Sequence, residues 1–182
     1  MPRHIISIQE LKQQQIQYID KLDSTFDVNS KLILSVENNL IHYTIINTEH
    51  YQKRYPIEAI DYSNYIDNPN QKLFLASIEN VIAGQVRLRQ NWNNYCYIED
   101  LVVDSKFRRM GIGKTLIQAA IDWAKGKRYA GIMLETQNNN VAACLFYSSC
   151  GFELAGFDKR LYRGLDPNTE EIALYWYLIF KR

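Results

Sequence analysis

Between residues 98 and 127 the chain passes from an extended apolar run to a helical one through a single turn, Arg108-Arg109-Met110-Gly111-Ile112-Gly113-Lys114-Thr115. Before it, Ile98 to Val103 reads as the end of a strand that starts at Tyr95. After it, Leu116, Ala120, Trp123 and Ala124 recur on one helical face, with Ile117 and Ile121 beside them. A helix that starts this way has first-turn N–H groups without intrahelical partners, and its dipole favours negative charge at that end. Gly111 and Gly113 allow close backbone approach, and Arg108, Arg109 and Lys114 add positive charge. A pyrophosphate fits such a place. A glycine-rich turn that merely starts a helix would read the same way.

Two other phosphate patterns fail on spacing. Gly113-Lys114-Thr115 matches the end of a P-loop, but its first glycine would fall at Arg108. A dinucleotide fingerprint would need a third glycine where Leu116 stands. The surviving pattern is [RQ]-x-x-G-x-[GA].

The remaining elements place this turn in a mixed α/β sheet with helices on both faces. Residues 7–20 read as a short helix. Residues 31–36 and 40–46 read as a hairpin about Glu37-Asn38-Asn39, and a short helix is expected near 57–66. Strands are expected at 73–79, 82–90 and 95–103, so that four or five precede the main helix at 111–127. A strand at 130–136, a helix at 140–150 ended by Gly151, and strands at 152–160 and 170–180 follow. The chain of 182 residues fits one domain. A net charge of +1 carries no nucleic-acid footprint, and no apolar stretch reaches the ~20 residues of a membrane span. The first residues hold too short an apolar run for a secretory signal. Cys96, Cys144 and Cys150 form no CxxC pair. They are expected as reduced, small apolar residues of a cytoplasmic protein, with no metal site.

Arg108-x-x-Gly111-x-Gly113 after Ile98-Glu99-Asp100-Leu101-Val102-Val103 resembles the acetyl-CoA motif of the GNAT superfamily of N-acetyltransferases. Asn140-x-x-Ala143-x-x-Phe146-Tyr147-x-x-x-Gly151-Phe152 resembles the second signature of that family. The resemblance covers residues ~72–180. It implies a mostly antiparallel sheet of six or seven strands with a splayed central pair. Residues 72–180 would form the acetyl-CoA core, and 1–71 the acceptor side of a single 1–182 domain. By position, Leu101, Val102 and Val103 would bind the pantetheine arm. Arg108, Arg109, Met110, Gly111, Ile112, Gly113 and Lys114 would bind the pyrophosphate, with Asn140 and Tyr147 also against the cofactor. Arg109 departs from the pattern, since many members have Gly there.

Acetyl transfer to an amine sets the remaining requirements. An alkylamine with a pKa near ~10.4 is mostly protonated at neutral pH and needs a base. The departing thiolate benefits from a proton donor. The resemblance puts Tyr147 in that acid role, with helix packing as its plain alternative. It puts Glu135, at the end of its strand, as base or substrate anchor. Adjacent strand residues face opposite sides, so at most one of Glu99 and Asp100 is expected to line the cleft. Asn140 suits a helix cap as well as a cofactor contact.

A narrower resemblance runs through Val86 to Tyr95, Tyr97-Ile98-Glu99-Asp100, Leu134 to Asn140 and Glu171 to Tyr177. These segments are similar to the streptothricin acetyltransferases, which implies acetylation of a small cationic amine and antibiotic resistance. Polyamines, other antibiotics or peptide amines are the alternative acceptors, and a non-enzymatic acyl-CoA-binding module is a third reading. Glu99, Asp100, Trp92 and Asp158 are candidate substrate contacts, with Glu135, Tyr95 and Tyr162, because a cation wants carboxylates and aromatic faces. The aromatic C-terminal strand suits pairing across a homodimer or within one subunit.

Overall fold

The computed structural model describes residues 5–19, 22–55 and 59–181. In chain order the strands are β1 Ile6–Glu10, β2 Phe26–Glu37, β3 Leu40–Lys53, β4 Gln71–Ile78, β5 Val81–Gln90, β6 Cys96–Val103, β7 Gly131–Gln137, β8 Glu153–Asp158 and β9 Ala173–Ile179. The α-helices are α1 Ile16–Ile19, α2 Ile112–Gly126 and α3 Val141–Ser149. β1, β4, β5 and β6 form one run of paired strands, β7, β9 and β8 another, and β2 pairs with β3. The expected mixed α/β architecture is therefore present.

Two compact units divide the chain. The first holds residues 1–25 and 54–132, and the second 26–53 and 133–182. β7 begins with the last two residues of the first.

In the first unit the strand order is β1-β4-β5-β6, antiparallel throughout. Ile112, Leu116, Ile117, Ala120 and Ala124 are the buried stripe of α2, which packs on these strands. Leu116, Ile117, Ala120 and Ala124 were expected there, whereas Trp123 and Ile121 are only half-buried and Ile112 joins the stripe. Trp123 stacks edge-on against Tyr129, centroids 5.6 Å apart. A second cluster joins Leu11, Ile19, Tyr62 and Tyr65 to Leu73 and Leu75 of β4. Residues 6–10 form a strand instead of the start of a helix. Ile6 and Ile8 are paired to β4, so tertiary pairing overrides the weak helical preference of a glutamine-rich stretch. Six strands, counting the hairpin, thus precede α2. The helix expected near 57–66 is a single 3-10 turn at Tyr62–Tyr65, and residues 56–58 lie outside the described residues.

Gly84 sets how closely α2 approaches. A Cβ there would stand 2.8 Å from the Val102 carbonyl oxygen, 3.1 Å from Ile112 and 3.3 Å from Leu116. The backbone on one side and the buried helix on the other leave nothing that yields cheaply.

In the second unit β2 and β3 form a long antiparallel hairpin, with Asn38 and Asn39 at positive φ in its turn. This is the hairpin expected from 31–36 and 40–46, extended at both ends. The order of the others is β7-β9-β8, with β8 antiparallel to β9. Asn140 caps α3 by accepting from Ala143 N–H at 3.2 Å, and Gly151 closes it at φ 88°. Among the described residues no helix is long and apolar enough to cross a membrane.

Replacing Gly84 by Ala should destabilise the fold by about 2 kcal/mol through overpacking. A urea titration that returns the wild-type midpoint would contradict this account of the contact.

Candidate active site

The first unit carries the turn expected to bind an anion. β6 ends at Val103, and a 3-10 turn at Ser105–Phe107 leads to Arg108. Arg109 sits at φ 66° and Gly111 at φ 90°. The left-handed conformation at Arg109 explains why glycine suits that position. Gly111 precedes α2 with no side-chain cap, and its carbonyl takes the first helical bond, from Thr115 N–H at 3.1 Å. The outward-facing amides at this end are thus left for an anion. Arg109 and Lys114 are exposed beside them, and Ile112 is buried as the anchor. The Arg108 guanidinium turns back into the fold instead. Its Nε donates to Val103 O at 3.2 Å and its Nη2 to Asp23 O at 3.4 Å. Leu101, Val102 and Val103 are half-buried and paired to β5.

One strand irregularity changes the expected role of Glu99 and Asp100. On β6, Asp100 opposes Arg87 and Ile98 opposes Leu88, so Glu99 is an extra residue in a β-bulge. The bulge breaks strict alternation, and both carboxylates reach one polar cluster. Glu99 pairs with Arg89 at 3.2 Å and accepts from Tyr65 Oη at 2.6 Å. Asp100 lies 3.7 Å from Arg87 and accepts from Gln85 Nε2 at 3.2 Å. Both carboxylates thus face arginines of β5, and neither is placed by these contacts in a substrate cleft. Two arginines balance two carboxylates here. The Tyr65 hydroxyl is pushed up to about 12, first by burial and then by its bond to Glu99. Trp92 is 93% exposed in the turn between β5 and β6.

The second unit carries the other group of candidates. Glu135, near the end of β7, accepts a hydrogen bond from the Tyr162 hydroxyl. Its carboxyl is pushed up to about 7, mainly by burial. The Lys53 charge opposes the shift and Glu171 adds to it. Lys53 and Glu171 form an ion pair, and Asn139 Nδ2 donates to Glu171 at 3.0 Å and to Tyr51 Oη at 2.9 Å. Asp158 accepts from the N–H groups of Arg160 and Leu161 at 2.6 and 3.1 Å. It thereby shapes the 3-10 turn Leu161–Gly164 that presents Tyr162. Tyr175 titrates above its usual range because it is buried and faces the charges of Glu135 and Asp158. Among these groups the carboxylates outnumber the ammonium.

Tyr147 is buried on α3, edge-on to Phe146 at 5.4 Å and to Phe152 at 5.7 Å. The three successive asparagines have three different jobs. Asn138, 3% exposed, accepts from Ile172 N–H at 2.9 Å and donates to Leu32 O at 3.2 Å, which ties β2 to the end of β7. Asn139 organises Glu171 and Tyr51, and Asn140 caps α3. Sequence reasoning found Asn140 and missed Asn138, Asn139, Lys53 and Glu171. A triple-Asn run directly after a strand was the available signal. Cys96 and Cys144 are buried, and burial pushes both thiols up to about 12, which suits packing and not a thiolate nucleophile. Among the described residues no group of three metal-ligating side chains is placed to hold an ion.

The model of the Acetyltransferase (GNAT) family matches residues 40–152. The chain belongs to the GNAT acetyltransferase family. It is an acetyl-CoA-dependent N-acetyltransferase of that family, and several relatives are closer than the family at large. Streptothricin acetyltransferase A of Bacillus subtilis strain 168 is 36% identical over 162 residues, 88% of this chain and 92% of that protein. A streptothricin acetyltransferase of Escherichia coli is 40% identical over 102 residues, 56% of this chain and 59% of that protein. A Bacillus anthracis (strain Ames) protein, provisionally named a streptothricin acetyltransferase, has been solved with acetyl coenzyme A. It superimposes with a TM-score of 0.91 at 45% identity over 99% of this chain and all of that one. The turn of this GNAT member has what a pyrophosphate needs: uncapped helix amides, positive φ at the approach, and two exposed cations.

The raised Glu135 pKa has a definite sign for stability. The native state holds this proton more tightly than the unfolded chain between the usual 4.5 and about 7. Burial of Glu135 therefore costs nothing below that window and destabilises progressively through it. The stability of Glu135→Gln relative to wild type should rise from about pH 4.5 to about pH 7 and level off above. Urea titrations of both proteins across that range check this, and a flat difference would remove the raised pKa.

Proposed function

We propose that this enzyme acetylates a primary amine of a small cationic antibiotic of the streptothricin class, which would make it a resistance factor. The relatives named above support the acceptor class. The observation that carries the chemistry is the Glu135 carboxyl, poised near neutrality beside Tyr162 in a cluster with excess carboxylate. An incoming ammonium is attracted there, whereas Glu99 and Asp100 are already neutralised by Arg87 and Arg89.

On this reading Glu135 accepts the proton that the attacking ammonium must lose, directly or through a water. A base with a pKa near the working pH is the efficient choice. Tyr162 orients that carboxylate, and Asp158 holds the turn that carries Tyr162. The Glu171 carboxylate, gripped by Lys53 and Asn139, adds to the field that favours a cation. Leu101, Val102 and Val103 hold the pantetheine arm, and Arg109 to Lys114 hold the pyrophosphate with their amides and charges. The main chain of Arg108 belongs to the same turn, and Asn140 caps α3, the helix that carries Tyr147. When bound, acetyl-CoA supplies a thioester carbonyl for the amine to attack. Tyr147, with its ring clamped by Phe146 and Phe152, donates a proton to the departing sulfur. No acyl-enzyme is required.

Tyr147→Phe should lower kcat about 10²- to 10⁴-fold and leave CoA affinity within about twofold. Unchanged kcat would take the acid role away from Tyr147. The kcat/KM of the wild type should rise with pH through about 7, and Glu135→Gln should abolish that limb. Expression in a sensitive host, challenged with streptothricin, tests the acceptor. No growth under challenge, with CoA release from polyamines or peptides instead, would move the enzyme to another amine.

A further inference from the structure

Asp23 joins the segment before β2 to the turn after β6, at a separation of 81 positions from Asp104. Its N–H donates to Asp104 Oδ2 at 3.0 Å. Its carboxylate accepts from Ser105 Oγ at 2.7 Å and from Thr25 N–H at 3.0 Å. Its carbonyl accepts from Ser105 N–H at 3.1 Å and from Arg108 Nη2 at 3.4 Å. Arg108 Nε in turn donates to Val103 O, and Asp104 Oδ1 accepts from Lys106 N–H at 3.0 Å. Asp104, Ser105 and Arg108 are thus all bonded to Asp23, while Asp104 N–H also donates to Ala83 O at 3.0 Å.

A carboxylate beside an anion site is an odd choice. A free negative charge there would repel the phosphates. This one is occupied by donors. The Ser105 hydroxyl and the Thr25 side chain and N–H hold the Asp23 carboxyl down at about 2, against burial, and Arg108 contributes further. Asp23 therefore stays ionised at any working pH and its charge is spent inside the fold. What it returns is order: an exposed turn that is already fixed loses less freedom when a ligand binds.

We infer that Asp23 is a positioning residue for acetyl-CoA: its carboxylate holds the Ser105 hydroxyl, and its main-chain carbonyl holds Ser105 N–H and Arg108, so that the amides from Arg109 to Lys114 are set for the pyrophosphate. The inference rests on reading that turn as the pyrophosphate site. None of these side chains need touch the cofactor.

Calorimetry of CoA binding to the full chain, with steady-state kinetics on acetyl-CoA and streptothricin, tests this. Asp23→Ala and Ser105→Ala should each raise the CoA Kd and the acetyl-CoA KM about fivefold to tenfold, the loss of one or two hydrogen bonds to a charged group. The kcat and the KM for streptothricin should change less than about twofold, a split that general loosening of the fold would not produce. The double variant should be weaker than wild type by less than the product of the single effects, because both remove one contact. Asp23→Asn, which keeps an acceptor oxygen, should recover most of the affinity. Gly111→Val is the control and should abolish CoA binding. If it does and Asp23→Ala binds CoA like wild type, the positioning role is wrong and the turn assignment stands. If Gly111→Val binds CoA normally, the turn assignment fails and this inference with it. Should Asp23→Ala not fold, Ser105→Ala removes only a hydroxyl, and an unchanged Kd there is equally decisive against the proposal.

Discussion

The close approach of α2 to β5 and β6 is the contact on which the cofactor half of this enzyme depends. Gly84 leaves room for Ile112 and Leu116 to seat against the strand beside the Val102 carbonyl. Seating the first turn of α2 there brings its uncapped amides to the end of β6. The positive φ angles at Arg109 and Gly111 are then what the chain needs to turn from strand to helix in so few residues. Hydrogen bonds from Asp23, Asp104 and Arg108 hold the outer side of the same turn. What the turn offers an anion is thus backbone, and its charged side chains are divided between structure (Arg108) and solvent (Arg109, Lys114).

Acidic residues are also divided, by their partners. Glu99 and Asp100 are balanced by Arg89 and Arg87, so they stiffen the bulged strand and offer little net field to a cation. Glu135 has a tyrosine for a partner and is buried, which raises its pKa to a value useful for proton transfer. Residue type alone would rank these carboxylates equally. Charge compensation and desolvation separate them.

Much of the architecture could be read from periodicity. The strands β4 to β6, most of the apolar stripe of α2, the hairpin and the caps at Asn140 and Gly151 are local properties of the chain, and the structure has them close to the expected positions. Residues 6–10 were misread because their preference is weak and their strand exists only through pairing with β4, some 70 positions away. The even alternation assumed for Glu99 and Asp100 failed because a bulge is a property of two strands in register, invisible in either alone. Trp92, expected near the substrate on residue type, stands in solvent in its turn.

The order of residues by itself determined the family and the strand-turn-helix at residues 98–127, because both are written in short spacings that translate directly into geometry. Only the tertiary structure decided which polar residues are paired with which. Lys53 and Glu171 meet across 118 positions, Asn139 reaches Tyr51 across 88, and Asp23 reaches Asp104 across 81. The field at a site depends on such distances in space and on burial, and neither follows from separation along the chain.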